Sequence, residues 1–391
     1  MCYNAKYLVN ALTMKPRASK DVYEPEFMGP VSRKKYEEET TMKKILALVL
    51  ALVMSLACCS ALAAEKVGVS MPTQDLQRWV QDGDNMKKEL EDNGYEVMLT
   101  YAANNVATQV ADLENMITNG CKVLVVASID GGALGDVLAK AKANDVLVIA
   151  YDRLLMGTDA VDYYATFDNY KVGVIQASYI VEKFDLENTD KTFRMEVFAG
   201  SPDDNNALFF YNGAMDMLKP YIEAGKLVVP SGETEFNICA ILGWGTDDAQ
   251  ARMDNLLTKA YTDGTFPDLV LSPNDSLAMG IANSLAAAGC PVENFPVITG
   301  QDCDKANMKN IIDGKQSMSV FKDTRTLAAK VVEMVNAYLL GDEVPVNDTE
   351  TYNNGVKNVP SFLCDPVFAD VNNYVELLIE SGYYTPADLG L

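Results

Sequence analysis

The sequence predicts an α/β fold with doubly wound parallel sheets divided between two similar lobes. Three observations carry that expectation. Short apolar runs alternate with amphipathic helical segments from residue 66 onward. Several of the runs are apolar at every position rather than at every second one, as in parallel strands covered on both faces. The alternation also persists for more than 300 residues, too long for one open sheet of this type. A TIM barrel is the alternative architecture. No low-complexity linker interrupts the chain, which fits lobes that exchange strands through several crossovers.

Val67-Gly68-Val69 opens the series and Val97-Met98-Leu99 supplies a second strand. Arg78-Trp79 falls in the first helical turn between them. Val106, Val110, Leu113 and Ile117 recur at helical spacing and predict a crossover helix. The continuous apolar runs Val123-Leu124-Val125-Val126 and Val146 to Ala150 follow as strands three and four. The pattern then repeats. Met195 to Ala199 precedes a helix with Leu208, Tyr211, Met215, Leu218 and Ile222 on one stripe. Asp268 to Leu271, Pro296 to Thr299 and Met318 to Phe321 read as further strands, and Leu327, Val331, Met334 and Tyr338 mark another helix.

The front of the chain reads as an address. Residues 1–41 show no apolar periodicity and are expected to be an upstream extension that does not belong to the native protein. Met42-Lys43-Lys44 begins a basic segment, an uncharged run extends from Ile45 to Ala64, and Ala61-Leu62-Ala63 closes it. Together residues 42–64 form a secretory signal peptide cleaved after Ala63. Leu56-Ala57-Cys58-Cys59 is also similar to a lipoprotein cleavage site, with a lipid anchor through Cys58 or Cys59, and the uncharged run is long enough for an uncleaved anchor. In every case the domain beyond it lies outside the cytoplasm, in the periplasm or on the extracellular face of the membrane.

Composition excludes several functions. Beyond residue 64 the chain has 23 basic against 49 acidic residues, a field that repels nucleic acid. There is no histidine, which removes Ser-His-Asp and Cys-His nucleophiles and His-ligated zinc. Cys121, Cys239, Cys290, Cys303 and Cys364 are odd in number and widely spaced. They make neither a disulfide framework nor a metal site and read as small buried hydrophobes, with room for one disulfide. No phosphate-binding glycine loop follows any strand, and neither cofactor nor metal is expected.

Ligands bind outside the carboxyl ends of strands in doubly wound sheets, and five strand ends here stop in polar residues of one kind. Tyr151-Asp152-Arg153 ends the fourth strand. Ser201-Pro202-Asp203-Asp204-Asn205-Asn206 follows Gly200, Ser272-Pro273-Asn274-Asp275 follows Leu271, Thr299-Gly300-Gln301-Asp302 closes another strand, and Phe321-Lys322-Asp323 the last. Singly, an Asp or Asn after a strand is most often an N-cap, and a lone Trp is more often core than platform. As a set they offer carboxylates, carboxamides and cations without a nucleophile–base pair. That set suits a neutral polyol: Asp accepts from hydroxyls, Arg and Lys donate, Asn does both. Trp79 and Trp244, the only tryptophans, could stack on the C–H face of a sugar.

At these residues the sequence resembles the periplasmic sugar-binding proteins of ABC importers, type I fold, and within them the xylose-binding and multiple-monosaccharide-binding branch. The resemblance runs from about Val67 to Pro386. It rests on Gln77-Arg78-Trp79, Val148 to Arg153, Ser201 to Ala207, Ser272 to Asp275, Thr299 to Asp302 and Asn354 to Ser361. It implies two Rossmann-like lobes with parallel sheets, joined by three crossover hinge segments near Asn169, Asp323 and Pro360. The N-terminal lobe is then 65–168 plus 323–359, and the C-terminal lobe 169–322 plus 360–391.

The resemblance also implies roles. Arg78 bonds a ring hydroxyl, Trp79 stacks on the pyranose, and Asp152 and Arg153 bond the anomeric side or neighbouring hydroxyls. Asp204 and Asn206 add bonds from the other lobe, Trp244 gives the opposing stack, Asn274 and Asp302 complete the shell, and Lys322 reaches in from a hinge. The implied function is capture of an aldose such as xylose, glucose, galactose or arabinose and its delivery to a membrane ABC permease. A sensing role toward a chemoreceptor or histidine kinase is the alternative, and a glycosidase using Asp152 and Asp302 a further one. Gln77 stands where the family usually has an acid, glycines flank Trp244, and Cys303 replaces a small residue.

Overall fold

The computed structural model describes residues 41–43 and 64–391, so the expected extension and most of the expected signal peptide, with Cys58 and Cys59, lie outside the described residues. Two open sheets replace the barrel alternative. In the first, β1 (Lys66–Met71), β2 (Glu96–Tyr101), β3 (Val123–Val126), β4 (Leu147–Tyr151), β5 (Tyr163–Phe167) and β11 (Ser361–Cys364) are all parallel, in the order β11-β5-β4-β3-β1-β2. Every residue of β3 and β4 is buried, as continuous apolar runs require. Helices α1 (Gln77–Asp92), α2 (Val106–Thr118) and α3 (Gly135–Ala143) connect the first four strands. Two apolar layers cover the faces, one around Val69, Met86, Ile149 and Val331, the other around Leu113, Leu124, Val148 and Tyr164.

The second sheet runs β7-β6-β8-β9, with β6 (Phe193–Val197), β7 (Leu227–Val228), β8 (Leu269–Leu271) and β9 (Val297–Ile298) parallel. A parallel bridge from Gln301 to Val320 continues it into β10 (Met318–Phe321), which pairs antiparallel with β12 (Val367–Asp370). Helices α4 (Asn169–Lys183), α5 (Asn205–Glu223), α6 (Thr246–Ala260), α7 (Asp275–Ala287) and α8 (Lys305–Ile312) belong with this sheet, and α9 (Thr324–Leu340) returns to pack beside α1.

Two expectations are corrected. The third crossover does not fall at Pro360: Ser361 to Cys364 pair with Tyr164 to Phe167 in the first sheet, so the chain crosses between Cys364 and Val367. In α5 the buried face is Ala207, Phe210, Ala214 and Leu218, while Leu208 from the expected stripe is exposed. The reason is a close helix–helix contact. A Cβ on Gly173 would meet the Phe210 carbonyl oxygen at 2.0 Å, and one on Gly213 the Tyr170 oxygen at 2.1 Å. Small residues on that face let the backbones of α4 and α5 approach, and larger apolar residues lie to the side.

Cys121, Cys239, Cys290, Cys303 and Cys364 are all buried and free. No helix among the described residues is long and apolar enough to cross a membrane, and no group of three acidic or cysteine side chains among them could hold a metal ion.

Candidate functional site

All ten residues singled out in the sequence line one cleft at the carboxyl ends of the two sheets. Leu76, Phe210 and Gln301 complete its wall. Arg78 and Trp79 are placed by the turn from β1 into α1, Asp152 and Arg153 by the end of β4. Asp204 and Asn206 come after β6, Asn274 after β8, Asp302 after β9 and Lys322 after β10. Trp244 comes from the loop before α6. The lining holds three cations, Arg78, Arg153 and Lys322, and three carboxylates, Asp152, Asp204 and Asp302. That balance suits an uncharged ligand.

Arg78 is the electrostatic centre. Its Nε donates to Asp82 Oδ2 at 3.0 Å and its Nη1 to Asp302 Oδ1 at 3.2 Å, while Nη2 lies 2.9 Å from Asp152 Oδ2. The last pair is an ion pair without hydrogen-bond alignment. Burial alone would lower the guanidinium's affinity for its proton, but Asp152, Asp82 and Asp302 outweigh it and raise its pKa well above the ordinary value. Lys322 Nζ sits 3.3 Å from Asp302 Oδ1 and 3.6 Å from Asp152 Oδ2. Burial opposes ionisation of Asp152, yet Arg78, Lys322 and Arg153 hold its carboxyl below the usual range. Asp204 moves the other way because burial exceeds the help from Arg153, whose Nε is 3.1 Å from its Oδ2.

Two of the strand-end residues that line the cleft are also helix caps. Asp204 accepts from Asn206 N at 3.0 Å and caps α5; Asn274 accepts from Leu277 N at 3.1 Å and caps α7. In Asn274 the amide nitrogen is left for the cleft, whereas the second oxygen of Asp204 lies 3.1 Å from Arg153 Nε. Asn206 is more committed than expected. Its Nδ2 donates to the Asp152 carbonyl at 2.7 Å, and its Oδ1 accepts from Asn169 Nδ2 at 3.0 Å. One N–H of its amide remains.

The aromatic walls pack against other residues of the lining. The Arg78 and Arg153 guanidinium carbons lie 4.8 and 5.1 Å from the Trp79 ring centre. Trp244 packs edge-on to Phe210 with 6.2 Å between centroids. Gly243 takes a positive φ of 66° in open space, so the flanking glycine shapes the turn, while the Trp244 ring is seated against Gly200. The Nε1 atoms of both tryptophans and Oε1 of Gln301 are buried with no hydrogen-bond partner. Such orphaned groups are expensive in a folded protein unless something occupies the site. Asp152, Trp244 and Asp302 are themselves held at positive φ, 57°, 58° and 96°.

Sequence reading missed Asp82 and Tyr151, which stand behind Arg78. Asp82 is fully buried, receives Arg78, and accepts the Tyr151 hydroxyl at its other oxygen. Burial pushes its carboxyl up to about 6 against the pull of Arg78. The signal was available: Arg78 and Asp82 are four apart on one helix face.

A family described as "Periplasmic binding protein domain" matches residues 67–343. The chain is similar to the multiple sugar-binding periplasmic receptor ChvE of Rhizobium radiobacter, at 49% identity over 349 residues that cover 88% of this chain and 98% of that one. It is similar to the D-xylose-binding periplasmic protein of Escherichia coli strain K12, at 36% identity over 88% of this chain and all of the other. Among solved structures, an ABC transporter solute-binding protein from Clostridium phytofermentans with bound β-D-glucose is similar at 60% identity and a TM-score of 0.81. The match covers 83% of this chain and 100% of that one.

Proposed function

The chain belongs to the periplasmic binding proteins, in their type I sugar-binding branch, and on that premise we propose that it captures a neutral aldose and delivers it to a membrane ABC permease. The observation that carries the reading is the cleft itself: charge-balanced, walled by Trp79 and Trp244, with buried indole N–H groups and a Gln301 oxygen that have no protein partner. A pyranose offers hydroxyls for the charged and amide groups of the lining and an apolar face for the rings. Arg78, Asp152, Asn274, Asp302 and Lys322 bind the hydroxyls, helped by Arg153, Asp204 and the remaining amide N–H of Asn206. The N-terminal lobe is 65–168 with 323 to about 364, and the C-terminal lobe takes the rest. Sugar contacts to both lobes favour closure about the hinge segments, and the closed, loaded protein docks on the permease outside the cytoplasm.

Glucose and xylose, each named for a relative, head the list of ligands to try. Tryptophan fluorescence titrated with xylose, glucose, galactose, arabinose and ribose tests the reading, since both tryptophans of the chain line the cleft. A saturable change with at least one sugar is expected. A flat response to all five, also flat by calorimetry, would overturn it. One relative is a receptor, which favours a second role in presenting bound sugar to a sensor; gene deletion that abolishes sugar-dependent induction while sparing growth on the sugar would identify it. The glycosidase alternative fares worse, because each carboxylate of the lining is ion-paired with Arg78, Lys322 or Arg153, which leaves none free to serve as the proton donor.

A further inference from the structure

Outside the cleft, the two lobes meet at a second polar cluster that no cleft residue enters. Gln77, the first residue of α1, donates from Nε2 to the Tyr384 hydroxyl at 2.7 Å and accepts the Lys305 N–H at its Oε1 at 3.2 Å. Gln81, one turn further, donates to the same hydroxyl at 3.2 Å. Tyr384 in turn donates to the Cys303 carbonyl oxygen at 3.0 Å. A phenol oxygen accepts two hydrogen bonds and donates one, so this one is saturated. Both ends of the Gln77 amide are spent on partners outside its own lobe. Tyr384 is 3% exposed and packs with Cys303, Met308, Phe321 and Ala369 of the second lobe, whereas α1 packs with the first sheet. None of Gln77, Gln81 and Tyr384 lines the cleft.

We infer that Gln77 and Tyr384 form a latch that sets how long a sugar is retained, without taking part in choosing it. The inference rests on the sugar-capture reading. Bonds that form only when the lobes meet stabilise the closed form and leave the open one unchanged, so they shift the affinity of every ligand by one common factor. Because the latch must open before release, the effect falls on dissociation. The placement of the latch matters as well. It joins the residue before Arg78 to the residue after Asp302, so it registers the two halves of the ion-pair cluster against each other. Gln serves where an acid would not: it supplies the donor for Tyr384 while keeping the acceptor for Lys305 N.

The test is stopped-flow tryptophan fluorescence on wild type, Gln77→Ala, Tyr384→Phe and the double variant, with two of the sugars that saturate wild type. Each single variant is expected to speed dissociation roughly 3- to 10-fold, by the same factor for both sugars, with association and sugar rank order retained. The double variant should fall short of the product of the two factors, because the residues share a bond. The sugar-free unfolding midpoint of Gln77→Ala should match wild type, which a merely structural role would not give. Unchanged dissociation in Gln77→Ala overturns the latch, and so do factors that differ several-fold between sugars, which would make Gln77 a ligand contact. Should Tyr384→Phe fail to fold, Gln77→Ala at its half-buried helix start carries the test alone. A wild type that responds to no sugar defeats the capture reading, and the latch with it.

Discussion

Replacing Asp82 with Asn separates what the cleft needs from what the fold prefers. Asp82 is fully buried, holds Arg78 through Nε and Nη2 at 3.0 Å each, and accepts the Tyr151 hydroxyl. Burial is the largest influence on it and Arg78 the second, and its carboxyl rises from 3.8 to about 6. That rise favours the neutral form by about 3 kcal/mol. Since the folded value lies above the unfolded one, the ionised carboxylate weakens the fold above pH 6, and the penalty vanishes below about pH 4, where both states are protonated. Asp82→Asn should therefore be more stable than wild type at pH 7.5, by about 1–3 kcal/mol after the weaker bond to Arg78 is allowed for, and should converge with it near pH 4. Urea denaturation of the sugar-free proteins between pH 4 and 8 reads this directly. Sugar affinity should move the opposite way, roughly tenfold weaker or more, because the guanidinium trades a carboxylate for a neutral amide oxygen that aims it less firmly. Wild-type affinity should also decline as pH falls through 6, and the variant should lose that component. A variant less stable than wild type at pH 7.5 would mean that pairing with Arg78 outweighs burial. Unchanged affinity would mean that Asp82 does not orient Arg78 at all.

Two further outcomes follow from the same geometry. Asn274→Asp keeps the oxygen that caps α7 and removes the amide N–H, so it should weaken sugar binding by about 1–3 kcal/mol in calorimetry while the unfolding midpoint stays near wild type; Asn274→Ala should lose both. Gly200→Ala would put a Cβ 2.0 Å from the Trp244 ring, so the ring must move; the sugar-dependent fluorescence change should shrink and affinity fall at least tenfold, with a wild-type titration curve as the refuting result.

Seven of the ten residues singled out were legible because they follow apolar runs and doubly wound topology gathers strand ends; Arg78 stood in the first helical turn after β1, and Trp79 and Trp244 stood out as the only tryptophans. Gln301 stood within a segment already singled out. Phe210 was hidden by the α5 stripe: an eye for large apolar side chains picks Leu208 and Tyr211, whereas the core takes Ala207, Phe210 and Ala214 because Gly173 and Gly213 bring the helix backbones together. Asp82 reads as one more acid on an acidic helix, and only its spacing from Arg78 distinguishes it. The strand at Ser361 to Cys364 escaped because Pro360 reads as a break, and its partner β5 lies about 200 residues earlier. Tyr384 carries no local signal for its role, since the partners of its hydroxyl lie about 80 and 300 residues away.

The left-handed backbone at Asp152 and Asp302 also bears on how this cleft can diversify. Aspartate, asparagine and glycine occupy that conformation at low strain, and β-branched residues do not. Drift at these two positions is therefore channelled toward exchanging an acceptor for an amide or deleting the side chain, and away from Val, Ile or Thr. Descendants of this sequence can retune which hydroxyl pattern is read there by changing polarity, while changes in cavity size must arise at positions such as Leu76, Phe210 or Asn274, whose backbones carry no such restriction.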